Sequence, residues 1–146
     1  MVAVCQFVAI LAASLFTGAA IYVSLVEHPA RLECGTELAA TVFGPSYRRG
    51  TVMQVILALA ATLAGVFAWL GGGGFLWLGG TLLIFAVVPF TLLAILPTNR
   101  RLLDRGLDRK SEAARRLLQD WGRLHVVRVI LSGAASIVLL RALIWP

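Results

Sequence analysis

Four long apolar stretches constrain this chain more than any other feature of its sequence. A helix that crosses a bilayer needs roughly 20 mostly apolar residues, and four windows meet this requirement: 4–26, 51–70, 75–96 and 126–144. The chain is 60% hydrophobic and only 14% charged, which lies far from the balance of a soluble domain. We therefore predict an integral membrane protein in which residues 1–146 form a single transmembrane domain.

The same windows predict the fold class. Backbone polar groups in hydrocarbon must be paired within their own segment, so four windows indicate an all-α, integral membrane four-helix bundle. The first window has no basic n-region and no small-residue cleavage site, so we expect it to be a spanning helix. Ser111 is a good N-cap for the fourth helix, which we expect to cover 112–144, with its membrane part at 124–144. A short interfacial segment is expected in each of the two basic connections.

Basic residues predict the orientation and the surroundings of the bundle. Eleven of the 13 Lys and Arg residues lie in the connections after the first and third apolar windows, on one side of the membrane. The positive-inside rule places these connections in the cytoplasm and both termini outside, as in a multi-pass protein of a bacterial-type inner membrane. The net charge of +6 then reflects topology and argues against a nucleic-acid partner. The lipid bilayer is the expected partner, and the sequence is also compatible with a homo-oligomer.

Polar residues on different helices are expected to meet near this basic side. Ser14, Thr17, Ile21, Ser24 and His28 recur at helical spacing on the first helix and predict one inward stripe. A second stripe on the fourth helix contains Trp121, His125, Arg128 and Ser132. At the same depth lie four more polar residues: Glu27, Gln54, Asn99 and Arg100. Arg128 is a candidate functional residue, because an ionisable group within a membrane is costly and usually faces the protein interior.

Structural roles are open for the same residues. His28 suits the C-terminal end of a helix, where the dipole favours a cation, and Arg128 could pair with Glu27 simply to hold two helices together. Asn99 and Arg100 follow a proline and could only mark a helix end, while Trp121 could be an interfacial anchor. The functional interpretation depends on several of these groups converging.

Three segments carry a resemblance to a known family. The stretches "TGAAIYVSLVEHPAR", "LPTNRRLLD" and "WGRLHVVRV" resemble the small four-helix membrane proteins of the anthrone-oxygenase-like family, over most of the chain. The resemblance implies oxidation of a flat, apolar, anthrone-type phenolic substrate to a quinone by O2, with no dissociable cofactor. It further implies a monooxygenase-type oxidoreductase whose polar site is formed by His28, Asn99, Arg100, His125 and Arg128, with Glu27 and Trp121 as supports.

The implied chemistry suits these residue types. A base must remove the activated C–H proton, and cations or donors must hold the enolate while it reacts with O2. Either His28 or His125 could be the base, because an unperturbed imidazole titrates near pH 6.5. Arg128 and Arg100 could stabilise the oxyanion, and Asn99 could orient it, while Gln54, Ser24 and Ser132 would line the pocket.

Other classes of function are compatible with the sequence. His28 and His125, with Glu27 as a third ligand, could bind copper, iron or haem in a membrane redox protein. A small transporter is a further alternative, although no carboxylate lies at mid-membrane and no inverted repeat is evident. A structural membrane subunit with incidental histidines is the last.

Overall fold

The computed structural model describes residues 1–145, and the all-α four-helix bundle is confirmed in it. The four long helices are α1 (Val2–Glu33), α2 (Thr36–Gly73), α3 (Phe75–Leu102) and α4 (Glu112–Ile144). Within the described residues there is no β-strand. Helix α1 packs against α2 and α4, and α3 packs against the same two helices from the other side. All four helices are long and apolar enough to cross a membrane, which supports a multi-pass membrane protein.

The helices extend beyond the apolar windows at the basic end of the bundle. Helix α2 begins at Thr36 and not near residue 51, so the expected connection after the first helix shrinks to Cys34 and Gly35. Gly35 has φ +92°, a conformation that an L side chain rarely adopts. The segment 36–50 is helical because apolar positions such as Ala39, Ala40 and Phe43 bury against the rest of the bundle.

The other turns follow the sequence closely. The glycine run after the second window makes the α2–α3 turn, with positive φ at Gly72 and Gly74. Residues 103–111 connect α3 to α4, and the expected cap is confirmed because the Ser111 hydroxyl accepts a hydrogen bond from the Ala114 N–H at 3.2 Å. The α1–α2 and α3–α4 connections lie at one end of the bundle, where Lys110 of the second is 3.5 Å from the Glu37 carboxylate in the first turn of α2.

The side chains are distributed as in a membrane bundle. Small residues dominate the buried interface; the alanines of the main cluster are Ala9, Ala12, Ala13, Ala20, Ala58, Ala61, Ala64, Ala68, Ala135 and Ala142. Large side chains such as Phe7, Leu63 and Phe67 are exposed on the outside. Small residues let helix backbones approach closely where lipid removes the hydrophobic drive for association. The exposed apolar surface is therefore the expected lipid contact.

Two helices contain a π-helical turn directly before an X–Pro bond. Val23–Glu27 in α1 precedes His28–Pro29, and Thr91–Ile95 in α3 precedes Leu96–Pro97. Proline lacks an N–H and its ring crowds the carbonyl one turn earlier, so a widened turn relieves a clash that a regular α-helix would retain. π-Helical turns are frequent at functional sites, and the first one contains Ser24 and Glu27.

The inward stripe predicted for α1 is correct only in part. Thr17 and His28 are buried and Ser24 is partly buried, but Ser14 and Ile21 are exposed. The buried face instead continues through Ala13 and Ala20. Helix phase explains the difference, because positions 13, 17, 20 and 24 follow one face with steps of four and three, whereas position 14 lies about 100° from position 13.

Close helix packing can be tested at Gly65. A Cβ at this position would lie 2.2 Å from Thr81 Oγ1, whereas a Cβ at Gly79 would meet no atom within 4 Å. We expect Gly65→Ala to reduce the free energy of unfolding by about 1–3 kcal/mol through overpacking, and Gly79→Ala to be neutral or stabilising. Thermal unfolding in detergent would measure both, and equal effects of the two substitutions would contradict this account of the α2–α3 contact.

Candidate active site

A cavity with both polar and apolar lining lies between α1, α2 and α4 near the basic end of the bundle. Its volume is about 380 Å³, within the range of small-molecule sites; we call it the first cavity. Its walls combine apolar and polar groups, and the polar lining residues are Tyr22, Glu27, Arg31, Ser46, Tyr47, Arg49, Thr51, Gln54, Trp121, His125 and Arg128. Tyr22 and Met53 are about half exposed on the bundle surface, so the cavity reaches the outside between α1 and α2.

His125 is the histidine that lines the first cavity. Its side chain is almost fully buried, and its Nδ1 lies 2.9 Å from the Ser24 hydroxyl across the α1–α4 interface. Ser24 lies in the π-helical turn of α1, so this turn positions the hydroxyl that contacts the His125 imidazole. A neutral imidazole held at one ring nitrogen can use the other nitrogen to accept a proton.

His28 lies behind this histidine and not in the cavity wall. Its ring packs against the Trp121 indole, with centroids 5.0 Å apart, and Trp121 stacks on His125 at 4.7 Å. Helix α4 can accept His28 because Gly122 has no side chain; a Cβ there would lie 2.7 Å from His28 Nε2. His28 is therefore placed to position Trp121, and through it His125.

Arg128 is the partly buried cation without an acidic partner at this site; Arg49, which also lines the wall without one in the described part of the chain, is exposed. Among residues 1–145 no Asp or Glu lies within ion-pair distance of the Arg128 guanidinium. It donates instead to Gln54 Oε1, and its Cζ lies 5.3 Å from the centre of the Phe16 ring. A buried cation without a carboxylate partner is costly unless it faces an anion or water. Arg128 is thus suited to hold an oxyanion in the cavity.

Glu27 is held by two groups that the sequence analysis did not assign to the site. Arg31 donates to Glu27 Oε1, and the Ser46 hydroxyl donates to the same oxygen at 2.8 Å. Arg31 is buried although it lies near a helix end. The signal for this pair was its i, i+4 spacing on one helix, which favours a Glu to Arg contact. Glu27 therefore pairs with Arg31 and not with Arg128, so an ion pair between Glu27 and Arg128 does not explain why an arginine stands at position 128.

The remaining residues of the predicted site are placed outside the cavity. Asn99 and Ser132 are buried but line no described cavity wall, and Arg100 is exposed to the surroundings. Asn99 belongs to the packed layer near Ile95 and Leu102 at the end of α3. The structure thus brings Glu27, Ser24, Gln54, Trp121, His125 and Arg128 together, with His28 one ring away.

The ligand set of the metal alternative can be compared with this geometry. Glu27 is engaged by Arg31 and Ser46, and both histidine rings pack on Trp121. In the described part of the chain, no group of three or more His, Cys, Asp or Glu side chains comes close enough to hold a metal ion. The set His28, His125 and Glu27 therefore does not assemble as a three-ligand site.

Fold and cavity define a multi-pass helical membrane protein with a histidine and an unpaired arginine in one buried site. The family model described as anthrone oxygenase matches residues 43–138, which include Gln54, His125 and Arg128. The chain belongs to the anthrone oxygenase family.

Curated relatives extend this likeness over nearly the whole chain. Anthrone oxygenase tpcL of Aspergillus fumigatus is 28% identical over 98% of this chain and 95% of its own length. An anthrone oxygenase of Claviceps purpurea is 29% identical over 90% of this chain and 83% of its own length. No solved structure matches the chain. At family level these relatives support an oxygenase activity on an anthrone-type substrate.

The Glu27–Arg31 pair can be tested with a double-mutant cycle. Arg31 is 7% and Glu27 31% exposed, so we expect Glu27→Gln and Arg31→Met to show a coupling of about 0.5–3 kcal/mol in the free energy of unfolding. Asp120 and Arg123 form an exposed pair at 3.6 Å, and their coupling should stay below about 0.5 kcal/mol. Equal couplings would show that burial does not strengthen the Glu27–Arg31 contact.

Proposed function

We propose that the first cavity oxidises an anthrone-type phenolic substrate to a quinone with O2. The observation that supports this most directly is the placement of His125 and Arg128 in the wall of one cavity. One side chain can take a proton, and the other is a cation without a carboxylate partner among residues 1–145. Membership of the anthrone oxygenase family favours this reaction over transport or a purely structural role.

The reaction balances without a further oxidant. An anthrone carries a CH2 group opposite its ring carbonyl, and the overall change converts that CH2 to C=O. One O2 is consumed: one oxygen atom enters the product, and the other leaves as water with the two hydrogens of the CH2 group. Loss of the first proton gives an enolate, which supplies the electrons that reduce O2 as the new C–O bond forms. Loss of the second proton accompanies cleavage of the O–O bond.

His125 is the proposed base for both proton transfers: it passes the first proton to the peroxide formed with O2 and is then free to take the second, which leaves with hydroxide as water. In the tautomer in which Nδ1–H donates to the Ser24 hydroxyl, the unprotonated Nε2 is the nitrogen available to the substrate C–H. Trp121 fixes the plane of the imidazole by stacking, and the His28 ring buttresses Trp121. In this proposal His28 is a positioning residue, and the exposed Arg100 takes no part in binding the enolate.

Arg128 and Gln54 are the proposed holders of the enolate oxygen. Gln54 Oε1 accepts from Arg128, so the Gln54 amide nitrogen still has protons to donate. Donors that are already fixed before the reaction stabilise developing charge without reorganising. The Glu27–Arg31–Ser46 group closes the basic end of the cavity, and its carboxylate is already neutralised by Arg31, so it does not repel an anionic substrate.

O2 is the only co-reactant in this proposal, and no metal or organic cofactor takes part. The electrons come from the enolate itself, so the protein has to supply a base, donors and a cavity of suitable size. Elemental analysis and a visible spectrum of detergent-purified protein test this part. Stoichiometric copper, iron or haem that is lost in His125→Gln would contradict it.

The assignment of the base can be tested by oxygen uptake with anthrone. We expect His125→Gln to lower kcat by roughly 10²–10⁴-fold, the usual contribution of a general base. Arg128→Gln should lower kcat by roughly 10²–10³-fold, as does removal of an oxyanion donor, and Arg128→Lys should lose less. Quinone formation is followed by absorbance, and thermal unfolding shows that each variant is folded.

His28→Gln serves as the control for His125→Gln. It changes the other histidine of the chain, which packs on the same tryptophan but does not line the cavity. Because His28 acts only through Trp121, we expect His28→Gln to lower kcat far less than His125→Gln does and to keep the pH profile of the wild type. A loss as large as that of His125→Gln, or full activity in His125→Gln, would overturn the assignment.

We propose the orientation in which the basic connections face the cytoplasm of a bacterial-type inner membrane. Cys34 is exposed at that end, so in a Cys5→Ser variant a membrane-impermeant maleimide should label it only in inverted vesicles. Phe75→Cys, at the exposed turn of the opposite end, should be labelled only in right-side-out vesicles when Cys5 and Cys34 are Ser. The reverse pattern would invert the topology.

A further inference from the structure

A second cavity lies on the other side of α2, and its lining is more apolar than that of the first cavity. Its volume is about 180 Å³. Apolar side chains of α2 and α3 form most of its wall: Val55, Ala58, Leu59, Val87, Val88 and Leu92. The neighbouring α3 turn is the π-helical turn Thr91–Ile95, which begins at the cavity wall.

The two cavities share one polar boundary. Tyr47, Thr51, Gln54 and Arg128 line both of them. The Arg128 guanidinium lies over the Phe16 ring, which belongs to the wall of the second cavity. The hydrogen-bonded pair Arg128–Gln54 therefore separates the apolar cavity from the cavity that contains His125.

The second cavity opens toward lipid. Val55, Leu59 and Leu92 are each about half exposed on the outer surface between α2 and α3, where the bundle presents apolar side chains to the hydrocarbon. Deeper in the wall, Ala58 and Val87 are buried. A molecule dissolved in the bilayer could reach the Arg128–Gln54 boundary along this path without passing through the first cavity.

The volume and the apolar wall of the second cavity indicate which kind of molecule it can bind. The second cavity is smaller than the roughly 300–1,000 Å³ of sites that enclose drug-sized ligands, so it cannot enclose a substrate with three fused rings. Apolar cavities of roughly 150 Å³ stay dry and take up small apolar molecules. Dioxygen is small, apolar and more soluble in hydrocarbon than in water, and it is the co-substrate of the proposed reaction.

We propose that the second cavity is the dioxygen chamber of this protein. O2 enters it laterally from the bilayer between α2 and α3, passes the Arg128–Gln54 boundary and reaches the enolate carbon that His125 has deprotonated. The aromatic substrate occupies the first cavity, which opens between α1 and α2. This inference rests on the proposed oxidation for the purpose of the chamber, while O2 occupancy itself is a physical property that can be measured without turnover.

The direct test compares two buried methyl groups on α3. Val87 is 2% exposed and lines the second cavity, whereas Ile84, three residues earlier, is 0% exposed and lines neither cavity. In detergent-solubilised protein with labelled Val and Ile methyls, dissolved O2 should enhance paramagnetic relaxation of Val87 severalfold more than that of Ile84. Equal relaxation enhancement at the Val87 and Ile84 methyls would contradict the proposed dioxygen chamber, whether or not the protein oxidises anthrone.

A matched pair of variants tests whether O2 enters through the mouth of the second cavity and whether the oxidation depends on this entry. Leu92 lines the mouth of the second cavity, while the adjacent Leu93 is also exposed to lipid and lines neither cavity. We expect Leu92→Trp to reduce the O2 effect at Val87 and to raise the KM for O2 severalfold with the KM for anthrone unchanged. Leu93→Trp should change none of these.

The outcomes separate this inference from the proposed function. Strong relaxation at Val87 in a protein that does not oxidise anthrone would retain the O2 chamber and reject the proposed substrate. Anthrone oxidation with Val87 and Ile84 relaxing alike would retain the function and reject the chamber. Equal changes in the KM for O2 in Leu92→Trp and Leu93→Trp would reject lateral entry at this mouth.

Discussion

The structure depends on the requirement that polar groups in hydrocarbon find partners within the protein. Four helices satisfy their backbones internally, and small side chains such as Ala13 and Ala61 let them pack closely enough to exclude lipid. Some polar side chains within the bundle pair across helices, as Thr17 does with Ser136 at 3.0 Å, and others bond to a carbonyl of their own helix, as Thr81 does to Trp77. Against this background, a cation at Arg128 that has no acidic partner among residues 1–145 stands out as a group arranged for something other than stability.

Two π-helical turns link local backbone chemistry to the site. Each precedes an X–Pro bond, and each contributes to the wall of one of the two cavities: Val23 and Glu27 from the first turn, Thr91 and Leu92 from the second. Because a π-helical turn shifts the following residues around the helix, it sets which side chains face inward. The prolines thereby influence the geometry of the site without contacting a substrate.

The two cavities would hold the two reactants of the proposed reaction separately. A cavity with a base and an oxyanion holder suits the aromatic substrate, and an apolar cavity on the lipid side suits O2. O2 would cross the shared Arg128–Gln54 boundary to reach the carbon that His125 deprotonates in the first cavity. Both openings lie between helices, so each reactant would come from the phase in which it dissolves best.

Hydrophobicity and local chemistry by themselves determined the four helices, the all-α class, the cap at Ser111 and the glycine turn before Phe75, because these depend on residues close together in the chain. The family motifs also marked His125 and Arg128 as residues of interest, and the depth of Gln54 in its apolar window marked that residue. Only the tertiary structure decided that His125 lines the cavity while His28 supports Trp121, that Arg31 is buried on Glu27, and that Arg100 lies outside. Contacts such as Ser24 with His125 join residues 101 positions apart. Such pairings depend on helix rotation and on the π-helical turn, which a periodic pattern does not encode.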